Sequence, residues 1–185
     1  MRVASFDLEI SSSISEHRDG WAAAKRGECG VASVVVFDSI SDRFHLYDEF
    51  NIIDCVKHLN AADLIVSFNG QEFDVPCLSG YTSEAIYAPH YDILQDIWTS
   101  LGAEKRGKGM WGLGIVAERT LGLTKSGSGE SAPALFEAGR MAELFDYNLN
   151  DVHMTRRLAN YIHDHGSVVR PDGTPLKLTG PGVRC

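Results

Sequence analysis

Along the first fifty residues the apolar and polar positions follow strand-like patterns. Residues 3–10 mix apolar side chains with Asp7 and Glu9 and read as a buried strand. A polar, serine-rich stretch follows. Residues 30–37 predict a second strand, because Val31, Val34, Val35 and Val36 supply β-branched side chains that suit a pleated surface. After a turn at residues 38–42, residues 43–50 predict a third. Such short links imply antiparallel neighbours, since parallel strands need a long crossover.

Beyond residue 50 the period changes. Ile52, Val56 and Leu59 follow helical spacing, and residues 64–68 form a compact apolar strand. The intervening helix is a suitable crossover for setting that strand parallel to an earlier one. Another helix is expected from near Glu72, and residues 85–92 read as a fifth, shorter strand. Residues 93–101, 113–121 and one long segment at 133–165 carry helical patterns, with loops at 102–109 and 125–131. The order of three strands, helix, strand, helix, strand and then helices predicts an α/β layer structure with a mixed sheet. We expect one domain over residues 1–170 and a C-terminal tail, residues 171–185, that shows little periodicity and is loosely held.

Length and composition fit this picture: 185 residues, 44% hydrophobic and 23% charged, suffice for one well-buried domain. The apolar runs fall far short of the roughly 20 residues that span a bilayer. The first strand carries acids, unlike a signal peptide. Cys29, Cys55, Cys77 and Cys185 are scattered with no Cys-x-x-Cys pair, which favours free thiols over a disulfide framework or zinc site and points to the cytoplasm. The net charge of −8 counts against a passive nucleic-acid-binding module, which normally carries a basic excess. It leaves room for an enzyme whose acids meet phosphates through divalent cations. Lys25, Arg26, Lys105, Arg106 and Lys108 are candidate backbone contacts, although solvated loops carry such charges too.

The acids supply the chemistry. Asp7 and Glu9 stand two positions apart in a strand and so share a face, leaving Phe6, Leu8 and Ile10 to the other. Like charges on one face of a buried strand are costly unless a cation lies between them. Hard ions such as Mg²⁺ and Mn²⁺ prefer such oxygen ligands. A second cluster, Asn69-Gly70-Gln71-Glu72-Phe73-Asp74-Val75-Pro76, lies just past the fourth strand. Ligands usually bind at that end of the strands in open α/β sheets. In the third, Tyr147-Asn148-Leu149-Asn150-Asp151, the first and last residues share a helix face. Each has a plain structural reading: a solvated strand face, an ordinary loop with Phe73 as core filler, a surface pair.

In order, the three clusters resemble the motifs of the DnaQ-like 3′–5′ exonucleases in their tyrosine-bearing subgroup. They are Phe6-Asp7-Leu8-Glu9, then Asn69-x-x-x-Phe73-Asp74-x-Pro76-x-Leu78, which resembles the proofreading domains of B-family DNA polymerases, then Tyr147-x-x-x-Asp151. The resemblance runs from about residue 3 to 165. The histidine subgroup, with its histidine five residues before the last acid, is excluded by Asp146. Ile10 and Ser11 follow Glu9, where relatives commonly carry Thr next. The resemblance implies a ribonuclease-H-like fold: a five-stranded mixed sheet in the order 3-2-1-4-5, flanked by helices. It implies that Asp7, Glu9, Asp74 and Asp151 hold two divalent cations, Mg²⁺ or Mn²⁺, with Tyr147 orienting the attacking water. It also sets Leu8, Asn69 and Phe73 near the 3′-terminal nucleotide of single-stranded DNA or RNA. No polymerase domain is present, so the expected protein acts alone or within a larger replication or repair assembly.

Other constellations carry less. The glycines of Gly107-Lys108-Gly109-Met110-Trp111-Gly112 follow a charged loop instead of a strand, so a dinucleotide-binding reading fails. His90 is expected to cap or pack, and His153, His163 and His165 to be solvated. Two further functions stay open on the sequence: a catalytically silent binding or assembly module on the same fold, and a structure-specific endonuclease.

Overall fold

The computed structural model describes residues 1–102, 109–124 and 131–185. Five strands form one sheet: β1 (Val3–Glu9), β2 (Ser33–Asp38), β3 (Arg43–Tyr47), β4 (Leu64–Ser67) and β5 (His90–Asp92). Their order is β3-β2-β1-β4-β5, as expected. β2 is antiparallel to both β1 and β3, whereas β4 runs parallel to β1 and β5. Each strand is somewhat shorter than its pattern suggests. The fifth is trimmed most, since Tyr87 and Pro89 are exposed and only residues 90–92 pair.

The β1 alternation decides the layers. Ala4, Phe6, Leu8 and Ile10 enter a core with Val34, Val36 and Ile65 beneath α2 (Ile52–Asn60) and α3 (Asp74–Thr82). On the other face Val3 packs with Met154 and Leu158 of α7 (Met141–His165), and Val35 and Phe37 pack with Val152. α4 (Ile93–Leu101) and α5 (Leu113–Leu121) complete that second core. The result is a helix–sheet–helix sandwich.

α7 is the spine of the site. Its buried residues, Leu144, Tyr147, Asn148, Asp151, Val152, Met154, Thr155, Leu158, Ala159 and Ile162, follow the three- and four-residue spacing of one broad helix face. Each large apolar member contributes about 1.5–3 kcal/mol by leaving water. The Asn148 amide donates to the Ser33 carbonyl at 3.3 Å and to Ser33 Oγ at 3.0 Å, fixing the helix against β2.

Three expectations change. The segment 133–165 is two helices, α6 (Ala132–Glu137) and α7, because Gly139 adopts φ +67°, where helical periodicity cannot continue. The stretch after β1 holds a 3₁₀ turn (Ile14–Glu16) and a short helix α1 (Trp21–Lys25). The C-terminal tail is packed. β6 (Ser167–Val169) and β7 (Pro175–Lys177) pair as a hairpin, and Leu176, Leu178 and Cys185 are buried. The side-chain amide of Asn160 clasps the Cys185 backbone in both directions, at 2.7 and 3.1 Å. All four cysteines are buried free thiols. Among the described residues no helix is long and apolar enough to cross a membrane.

Candidate active site

β1 and β4 pair only from Val3↔Leu64 to Ser5↔Val66, so beyond Ser5 the strands part. That opening, where the sheet order reverses, is where an open α/β sheet offers a ligand crevice. The Leu8 N–H points into it and donates to Asp74 Oδ1 at 2.9 Å. Asp74, the first residue of α3, therefore enters the gap from the α3 side and closes on the backbone between Asp7 and Glu9.

Asp7 and Glu9 project from the opposite face toward α7. Their carboxylates meet that of Asp151, one oxygen of each lying within 4.8 Å of the others. Glu9 and Asp151 are buried and Asp7 is half-buried. Asp74 stands beside this trio. Burial lifts its carboxyl to about pKa 7, against the Leu8 hydrogen bond that lowers it, and the charges of Asp92 and Asp151 raise it further. Tyr147, one turn before Asp151, is buried against the same acids. Burial first, then the negative charges of Asp151, Glu9 and Asp7, push its phenol well above the ordinary value, so it stays a neutral donor.

This donor set fits hard divalent cations. It is all carboxylate oxygen, it converges from three elements, and its mutual repulsion is relieved by positive charge. Mg²⁺ or Mn²⁺ would sit against Asp7, Glu9 and Asp151, with Asp74 completing the enclosure.

The loop that delivers Asp74 is organised by Asp92. One carboxylate oxygen accepts the N–H groups of Asn69 (2.9 Å), Leu94 (2.9 Å) and Gln95 (3.3 Å), and the other that of Gln71 (2.9 Å). It thus caps α4 and clamps the turn in one stroke. Asn69 takes φ +73°, a conformation asparagine tolerates better than most residues. Gly70 has no room for a side chain, since a Cβ would lie 2.4 Å from Ser67 Oγ. His90 packs as expected: its Nε2 lies 2.8 Å from Ser67 Oγ, and burial lowers its pKa to about 4.

A cleft of about 1410 Å³ leads from Glu9, lined among others by His17, Arg18, Trp21, Phe73 and Glu118. Trp21 is 55% exposed and its ring meets Phe73 edge-on at 5.0 Å. The two are brought together because Gly27 and Gly80 let the α1 and α3 backbones touch; a Cβ on Gly27 would lie 2.1 Å from the Tyr81 nitrogen.

The sequence-predicted residues are therefore distributed as follows. Asp7, Glu9, Asp151 and Tyr147 come together with Asp74 alongside, and Phe73 lines the cleft. Asn69 builds the turn. Leu8 has a side chain that is 4% exposed and points into the α3-side core, because alternation sends it away from Asp7 and Glu9. Its contribution is the N–H that holds Asp74. Lys25 is paired with Glu72 at 2.8 Å, and Arg26 with Asp19 and Glu28, so neither points free toward the cleft. Lys105, Arg106 and Lys108 lie outside the described residues. Trp21, Arg18, Asp92 and Asn148 carry parts of the site that the motifs do not mark; only Asp92 has a local signal, an N-cap acid before a helical pattern.

Residues 25–163 match the family described as the RNase_H superfamily, a span that begins after β1 and its two acids. No curated protein matches the chain. Among solved structures, the family B DNA polymerase from the hyperthermophilic archaeon Pyrobaculum calidifontis is similar over 88% of this chain, with a TM-score of 0.65 and 17% identity. The chain spans 24% of that polymerase's length. The family match covers well over half of the residues, and the strand order agrees with it: this chain belongs to the RNase_H superfamily.

Proposed function

We propose that the protein is a metal-dependent 3′–5′ exonuclease of the DnaQ-like, tyrosine-bearing kind, acting on the 3′ end of a single strand. The observation that carries this reading is the convergence of Asp7, Glu9 and Asp151, with Tyr147 and Asp74 close enough to feel their charge, beside a cleft that Glu9 lines. The cleft is larger than the about 300–1,000 Å³ typical of small-molecule sites, which favours a polymer. When bound, the divalent cations supply the activation of water and the neutralisation of phosphate oxygens that an in-line displacement needs. Asp7, Glu9, Asp74 and Asp151 hold them. The Leu8 N–H fixes one oxygen of Asp74 so that the carboxylate presents the other. The Tyr147 hydroxyl, kept protonated by its surroundings, holds the nucleophilic water in line. Trp21 and Phe73 offer faces to the terminal bases, a contact that tolerates any sequence. Arg18 is a candidate for the phosphate backbone.

The test is digestion of 5′-labelled single-stranded DNA and RNA of equal sequence with Mg²⁺ or Mn²⁺. A one-nucleotide ladder is the expected result. Internal fragments would instead assign an endonuclease, and intact strands a silent binding module.

A further inference from the structure

We infer that the end of the sheet opposite the acids carries a second metal site, formed by Asp38, His45 and His58 and suited to Zn²⁺ or a similar borderline ion. The three come from different elements: Asp38 ends β2, His45 lies in β3 and His58 in α2. Asp38 pairs with Ala4 at the start of β1, whereas Asp7 and Glu9 pair with Val35 and Ser33 toward its end. The cross-strand pairs Val36↔His45 and Asp38↔Arg43 set His45 on the face that carries Asp38, which is the α2 face.

The geometry is close to that of a ligand set. One donor atom of each residue lies within 4.8 Å of the other two. A tetrahedral ion with bonds of about 2.0–2.1 Å spaces its ligand atoms roughly 3.3 Å apart. His58 Nε2 and Asp38 Oδ2 stand 2.9 Å apart in a hydrogen bond, so a bound ion replaces the proton between them and spreads the pair by about 0.4 Å while His45 swings inward. Its ring lies edge-to-face with His58 at 4.7 Å and its strand is the sheet edge, where such a movement is cheap.

The outer partners also suit a metal. Tyr47 Oη lies 2.7 Å from His58 Nδ1, which orients the ring and leaves Nε2 toward Asp38. Asp38 Oδ1 accepts the N–H groups of Ile40 (2.8 Å) and Ser41 (3.4 Å), keeping Oδ2 inward. Two groups compete: Arg2 Nε at 3.3 Å from Asp38 Oδ2, and Ser41 Oγ at 3.2 Å from His45 Nε2. Both are weak rivals, since the Arg2 side chain is 37% exposed and a hydroxyl rotates away readily. A plain His–Asp hydrogen bond needs only His58; it gives no reason for a second imidazole to converge on the pair. Imidazole selects Zn²⁺, Co²⁺ or Ni²⁺ over the hard ions that suit an all-carboxylate set, so the two sites sort different metals.

Titration calorimetry with Zn²⁺ in excess Mg²⁺ tests this, using the Asp7→Asn protein so that the catalytic acids do not compete. One Zn²⁺ per chain is expected, with affinity reduced at least about tenfold in Asp7→Asn/His45→Gln, since even outer-shell changes cost that much. Zn²⁺ should raise the melting temperature of the first protein and not the second. His45→Gln alone, checked for folding by circular dichroism, should leave strand cleavage unchanged. The inference is overturned if Asp7→Asn binds no Zn²⁺ under excess Mg²⁺, or if His45→Gln leaves the affinity as it was.

Discussion

Replacing Asp92 with alanine removes one carboxylate and four hydrogen bonds, those from Asn69, Gln71, Leu94 and Gln95. The helix-cap share of the loss is about 1 kcal/mol. The Asn69 and Gln71 N–H groups lose a charged acceptor in a part-buried turn, at about 1 kcal/mol each. The sum is about 3 kcal/mol, which for a chain of this size lowers Tm by roughly 6–12 °C. Asp92→Asn keeps the oxygen that serves three of the N–H groups and fails only at Gln71, so it should cost about a third as much. Because that turn delivers Asp74, strand cleavage should fall in the same order, alanine below asparagine. Thermal melts followed by circular dichroism, with single-turnover cleavage on the same samples, measure both. An alanine variant that melted within about 2 °C of wild type would show that the Asp92 clamp does not hold the turn.

Three further outcomes follow from the geometry. Asp74 holds its proton to about pH 7 in the folded metal-free protein but only to about 4 when unfolded, so the folded state binds the extra proton between those limits. Metal-free stability should therefore fall as pH rises from about 4 to 7, by up to about 1.4 kcal/mol per unit, with Mn²⁺ flattening the fall; urea melts in chelator and in Mn²⁺ would show it, and a rising chelator curve would contradict it. Trp21→Ala should raise KM for a single strand roughly 5- to 150-fold with little change in kcat, as loss of about 1–3 kcal/mol of stacking implies; an unchanged KM in steady-state assays would remove Trp21 from the strand path. Tyr147→Phe should slow single-turnover cleavage about tenfold or more while Mn²⁺ affinity by calorimetry stays level; cleavage at the wild-type rate would leave Tyr147 a packing residue.

Much of the framework can be read from the chain because its signals are local. The period of two in β1 separates Asp7 and Glu9 from Phe6, Leu8 and Ile10, and the structure keeps that division. Helical spacing gives α4 and α5 their bounds. What escapes depends on partners distant in sequence. Leu8 shares a motif with two acids, but alternation turns its side chain into the core. The tail has no period of its own, since it is held by side chains of other elements: Asn160 clasps Cys185, and Asp96 accepts the N–H groups of Thr179 and Gly180. Trp21 stands in a polar stretch and gains meaning only when Gly27 and Gly80 bring it to Phe73. Asp38, His45 and His58 have no ligand-like spacing because a hairpin and a crossover helix assemble them.

The central claim is that the carboxylates around Asp7 hold the cations that drive strand hydrolysis. Mn²⁺ binding by calorimetry and cleavage of a 5′-labelled single strand, measured on one preparation each of wild type and Asp7→Asn, test it together. We predict that wild type binds Mn²⁺ and produces a one-nucleotide ladder. Asp7→Asn should remain folded, bind Mn²⁺ much more weakly and leave the strand intact. Cleavage by Asp7→Asn at the wild-type rate, or no cleavage by wild type with either Mg²⁺ or Mn²⁺, would contradict the account.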